Sequence, residues 1–314
     1  MLSTDGGGSV PLDPMTLHGS FTRFCLQYHL ASLPLHVHQV LIAFLTYEVL
    51  FLIVAPAFSL VFLPQTYGKL PRRTKTNWNV RVTSFIQATF ICYQALRVIT
   101  QDTSRQNTDY DARLWAYSRG SGDAQAFAAG YFLWDVVVSV QHFQILGPTS
   151  LIHALSALMI TSLGFRPFAN FYGVNFVLYE LSTPFLNIHW FLDKLGKAGG
   201  RYQLWNGICL IITFFGCRLV WGTYQTINLM ADTWRAWGDV GTGKCLDAFM
   251  TVRAEGSQIA VPVQDFCYDN FPSGLLLTYI ISNTLLSGLN VYWFGLMLKA
   301  LGRRFNKNVD KKQE

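Results

Sequence analysis

The sequence predicts an all-α polytopic membrane protein with about seven transmembrane helices, and three observations lead there. Of 314 residues, 51% are hydrophobic and only 13% are charged, against roughly 25% charged in an ordinary soluble domain. Seven apolar stretches, 40–61, 82–99, 124–140, 149–165, 168–192, 204–230 and 274–298, each carry at most one formally charged residue, and stretches of this length span hydrocarbon as helices. Breakers punctuate them: Pro64 follows the first, Gly147-Pro148 separates the third from the fourth, and Arg166-Pro167 the fourth from the fifth.

Residues 1–38 contain Gly, Pro and His but no charged region ahead of an apolar core, so no cleavable signal peptide is expected and the first transmembrane helix, within 39–64, serves as the signal. Leu2 excludes N-myristoylation. With seven crossings and a lumenal N-terminus, fourteen basic residues fall on the cytosolic side, among them Arg72, Arg73, Lys75, Lys194, Lys197 and Arg303, and eight on the other side; Lys and Arg are retained in the cytosol. The +6 net charge is distributed as such topology clusters, so nucleic acid is not an expected partner. The longest connection, 231–273, holds Cys245 and Cys267; in an oxidising lumen they form a disulfide, and otherwise they are free thiols. The segment 306–314 is a cytosolic basic tail. Its Lys311 and Lys312 resemble a dilysine retrieval signal read by coat proteins, which implies an endoplasmic reticulum membrane; the other reading is a merely solvated tail.

Ionisable groups within spans are costly, so each is expected to face the bundle interior with a partner. They are Glu48, Arg97, Asp135, His142, His153, Glu180, His189 and Arg218. Asp135 and His142 are seven apart on one helical face and His153 opens the next span, so the three are expected to line one cavity. Glu180, Pro184 and Asn187 follow at i, i+4 and i+7, with Pro184 predicted to kink the fifth span. These residues either bind or act on a lipid or form a structural interhelical network. No ligand pair has HxxxH or CxxC spacing, so no metal is expected.

Three segments resemble the TLC domain, the family named for translocating-chain-associating, longevity-assurance and ceroid-lipofuscinosis membrane proteins: Asn77-Trp78-Asn79-Val80-Arg81-Val82-Thr83-Ser84, Gly130-Tyr131-Phe132-Leu133-Trp134-Asp135 and the run from Glu180 to Leu192. The resemblance covers 75–305 and is to the small TLC-domain-containing transmembrane proteins rather than the ceramide synthases. It implies six helices, the second to seventh, in a barrel around a lipid-sized cavity, with the first outside. The leading expectation is a lipid-handling protein that binds or senses a membrane lipid there without catalysis, contributing to lipid homeostasis, with no cofactor. The alternative is N-acyl transfer of ceramide synthase type, with acyl-CoA as co-substrate, His153 as base or acyl acceptor, and Asp135 and Glu180 assisting. In those synthases a His-His pair carries this chemistry, whereas the corresponding residues here are Ile152-His153. A third expectation is an interaction or trafficking accessory docking through the loop 231–273.

Overall fold

The computed structural model describes residues 21–313 apart from 22, 26, 107, 167, 247–250, 255–256, 261–265 and 268–271; side chains are described except at 104, 245–271 and 303–313. Helix α1 is Leu33–Phe62, α2 Arg72–Gln101, α3 Arg119–Gln141, α4 Pro148–Leu163, α5 Asn170–Val177, α6 Thr183–Lys194, α7 Arg201–Gly238 and α8 Ser273–Gln313. Helices α1, α2, α7 and the first 30 residues of α8 are each long and apolar enough to cross a membrane. The side chains are distributed as lipid surroundings require: Leu41, Ile42, Leu45, Leu52, Ile53 and Val61 of α1 are exposed, whereas Gln87, Asn175, Asn187, Gln225 and Asn290 are buried.

Local chemistry accounts for the boundaries. Helix α1 starts at Leu33 with Pro34 in its first turn, and loosens into a π turn at Leu50–Val54 just ahead of Pro56, which has no N–H to give to the ladder. Ser118 caps α3 by accepting a hydrogen bond from the Ser121 amide at 3.2 Å. Gly147 has φ +81° and Pro148 follows in the first turn of α4, so a glycine supplies a backbone angle that β-carbon-bearing residues resist.

Helix α1 packs on α3. A Cβ on Gly130 would lie 2.5 Å from the Val40 carbonyl oxygen and 2.6 Å from the Ala43 Cβ, so the bare glycine sets the closeness of the two helices. Beside it Trp134, fully buried, donates from Nε1 to Glu48 Oε2 at 3.0 Å, which gives the carboxylate of α1 its partner. Tyr47 and Phe51 pack around the same indole.

The fifth apolar stretch is not one α-helix. Between α5 and α6 the chain tightens into a 3₁₀ turn, Leu178–Ser182, and Pro184 lies in the first turn of α6. A proline at this position would clash with the carbonyl four residues before it, that of Glu180, and offers it no hydrogen. Glu180 therefore sits at a break in the helix. In α7 a π turn, Phe215–Trp221, carries Arg218, and it is followed by Gly222, where an added Cβ would lie 2.3 Å from the Tyr179 hydroxyl.

After α7 the backbone forms four short strands: β1 Cys245–Leu246, β2 Thr251–Ala254, β3 Ser257–Ala260 and β4 Phe266–Cys267. β1 pairs antiparallel with β4 with Cys245 opposite Cys267, and β2 pairs with β3. The cysteine side chains lie outside the described residues, as do those of Lys311 and Lys312, where the backbone of α8 is still helical.

Candidate functional site

A cavity of about 550 Å³ is lined by Arg81 and Ser84 of α2, Tyr131 and Asp135 of α3, His153 of α4, Glu180 of the 3₁₀ turn, Asn187 of α6, Arg218 of α7 and Trp293 of α8. Its centre is an ion pair. Arg218 Nη2 approaches Glu180 Oε1 at 3.3 Å, and both side chains are buried. The remaining donors of the guanidinium reach Ser182 Oγ at 3.1 Å from Nε, Asn290 Oδ1 at 3.0 Å from Nη1 and Thr183 Oγ1 at 3.4 Å from Nη2. Three of these acceptors come from the turn that Pro184 interrupts, so the helix break and the π turn together supply the geometry. The guanidinium also lies 5.1 Å from the Phe214 ring centroid.

Asn187 ties α6 to α2, accepting from Arg81 Nη1 at 3.2 Å and donating to Ser84 Oγ at 3.3 Å. Arg81 stands 4.9 Å from the Trp190 ring, and Lys194 Nζ is 5.5 Å from the same ring. Next to the main cavity, a smaller one of about 280 Å³ is lined by Arg73, Asn77, Trp190 and Lys194, with no carboxylate in its lining; Asn77 and Ile145 belong to both.

On the inner side of the ion pair lies a narrow chamber of about 70 Å³ that shares His153, Glu180 and Arg218 with the main cavity. The His153 ring stands 6.1 Å from Phe132 and 5.4 Å from Trp293, and its Nδ1 is buried without a hydrogen-bond partner among the described residues. Ile152 is 42% exposed and points away from the lining.

Of the residues singled out from the sequence, Asp135, His153, Glu180 and Asn187 line the same cavity, and Pro184 shapes the turn that carries Glu180. His142 does not join them. Helix α3 ends at Gln141, and His142 has left the helical phase with φ −116° and ψ 31°, its ring 5.8 Å from Phe51 of α1. The seven-residue spacing from Asp135 carries a side chain to the same face only while the helix continues. The partner expected for each charge within a span is, for Glu180, Arg218. Sequence reasoning identified Arg218 as a charge within a span but had no signal for a partner 38 positions away. Arg81, one of the fourteen basic residues that the charge asymmetry puts on the cytosolic side, lines the cavity, and its place within the Asn77–Ser84 segment is the sequence signal for it.

The far end of α7 carries a second ionic cluster. Arg113 grips Asp232 through Nε at 2.6 Å and Nη2 at 2.7 Å, and the Tyr172 hydroxyl donates to the same carboxylate. Lys244 Nζ reaches Asp111 Oδ2 at 2.8 Å and Asp239 Oδ2 at 2.9 Å, and the Tyr110 hydroxyl donates to Asp239 at 2.6 Å. That hydrogen bond from Tyr110, and then the one from Lys244, hold the Asp239 carboxyl below the usual carboxylate range.

Among the described residues no group of three or more His, Cys, Asp or Glu side chains converges as a metal site would. The cavity is therefore described by its hydrogen-bonding and ionic groups within an otherwise apolar wall.

Comparison with known proteins matches the TLC domain to residues 77–299. An uncharacterized TLC domain-containing protein of Schizosaccharomyces pombe is 32% identical over 300 residues, covering 95% of this chain and 89% of its own. The topoisomerase I damage affected protein 4 of Saccharomyces cerevisiae is 27% identical over 290 residues, covering 90% and 91%. TLC domain-containing protein 4 of Homo sapiens is 28% identical over 181 residues, covering 57% and 67%. With the domain matched over well more than half of its length, and a helical bundle long and apolar enough for a membrane, the chain belongs to the TLC domain family.

Proposed function

We propose that this protein binds a membrane lipid in the cavity around Glu180 and Arg218 and thereby contributes to membrane lipid homeostasis. The observation that carries the reading is a cavity of about 550 Å³ whose polar groups, Arg81, Asp135, His153, Asn187 and the Glu180–Arg218 pair, converge among the apolar walls of Phe214, Leu296 and Trp293. More than half of the lining residues are polar or charged, which suits the headgroup end of a lipid, with the apolar remainder of the wall against its chain. Intramembrane charges held around open space point to a ligand more than to packing alone. Arg73 and Lys194, the latter also 3.1 Å from the Asp193 carboxylate, line the adjoining cavity and favour an anionic headgroup at that mouth.

Acyl transfer with His153 as base or acyl acceptor is the second reading, and the surroundings of His153 favour it less. An imidazole acting as base is held in one tautomer by a partner on its other nitrogen, and His153 Nδ1 has none among the described residues. On the same footing we assign the protein to the endoplasmic reticulum membrane with its C-terminus in the cytosol; the basic asymmetry and Lys311-Lys312 support this, and it puts the Arg73 and Lys194 mouth on the cytosolic side.

Mass spectrometry of lipids co-purifying with wild-type and His153→Ala protein tests the reading. We expect a defined lipid class on the wild type, lost or exchanged in the variant, and no turnover of acyl-CoA with long-chain amines. Identical bulk lipid on both proteins, or acyl transfer abolished by His153→Ala, would overturn it.

A further inference from the structure

The inner chamber has a mostly apolar wall, yet polar side chains without hydrogen-bond partners among the described residues also line it. Gln87 is 1% exposed and Tyr279 and Asn290 are each 2% exposed. Both amide atoms of Gln87, the Tyr279 hydroxyl and Asn290 Nδ2 are buried without a hydrogen-bond partner among the described residues, and all three residues line the chamber. Buried polar groups of folded proteins are nearly always satisfied, so orphans converging on one space indicate that its occupant carries the missing donors and acceptors. An unsubstituted hydrocarbon tail would leave every one of them unmade.

The charge and shape of the chamber narrow the occupant further. Glu180 and Arg218 neutralise each other at its outer end, and the orphaned groups are themselves uncharged, so the complement is neutral. About 70 Å³ admits roughly five water-sized groups at about 10–15 Å³ each, too little for a fused-ring lipid. Tyr279 and Asn290 both line the chamber and are eleven residues apart on α8, about 16 Å along its axis, so the polar positions are spread along an elongated space that suits a chain. We propose that the inner chamber receives one aliphatic chain bearing hydroxyl groups, in preference to an unsubstituted chain. This rests on the lipid-binding reading above and specifies the chemistry of the chain.

The test compares octadecanoate with 12-hydroxyoctadecanoate for binding to purified full-length protein, wild type and the Gln87→Met, Tyr279→Phe double variant, by native mass spectrometry and thermal melting. The wild type should bind the hydroxylated chain about tenfold more tightly, and the double variant should prefer it by less than about twofold. Replacing orphaned polar groups by apolar ones of similar shape does not destabilise, so the ligand-free double variant should melt at or above the wild-type temperature. Equal binding of both chains by the wild type, a preference unchanged in the double variant, or a lowered melt of that variant overturns the chain assignment while lipid binding stands. Binding of neither chain overturns both.

Discussion

Two ionic clusters share helix α7 and differ in completeness. At its far end Asp232 receives two short bonds from Arg113 and a third from Tyr172, and neighbouring Asp239 is bonded by both Tyr110 and Lys244. At the π turn, Glu180 has one 3.3 Å contact to Arg218, whose other donors go to Ser182, Thr183 and Asn290. Beside that pair, Gln87, His153 and Asn290 keep atoms without hydrogen-bond partners among the described residues. A network with its hydrogen bonds closed holds helices together. One left open beside a cavity has capacity for a ligand.

The largest expected effect breaks the open cluster. Arg218→Met leaves Glu180 buried without its counter-charge, a loss of about 3–5 kcal/mol, and should yield aggregated protein on size-exclusion chromatography; adding Glu180→Gln should restore a monodisperse peak. Wild-type behaviour of the single variant would show that the pair contributes little to the fold. A smaller effect is expected at the closed cluster, where Asp232→Asn exchanges charged hydrogen bonds for neutral ones on a partly exposed Arg113 and should cost about 1–3 kcal/mol, read as a lower melting temperature with unchanged co-purifying lipid. Altered lipid would join the two clusters into one site.

The smallest effect is in pH. Because Asp239 is held below its ordinary value by Tyr110 and then Lys244, its contribution is present above the usual carboxylate range, about 3.9, and is lost as pH falls through its lowered value. Asp239→Asn should therefore flatten the fall in melting temperature between about pH 5 and 3. An unchanged slope would assign the acid sensitivity to other carboxylates.

The sequence by itself determined the helical runs and several of the cavity's ionisable residues. Apolar length, prolines and glycines act locally, so Gly147-Pro148 and Pro184 mark their breaks wherever the helices later pack. The cost of an ionisable group in hydrocarbon marked Asp135, His153 and Glu180 without knowledge of any neighbour. His142 shows where that local logic stops, since helical spacing carries no information past the residue at which α3 ends. Tertiary structure alone decided that Arg218, not an imidazole, neutralises Glu180, that Arg81 turns inward to Asn187, and that Gln87, Tyr279 and Asn290 share a chamber. Those relations join residues separated by tens to about two hundred positions, and they are set by where helix faces meet and by the π turn in α7, which carries the buried Arg218.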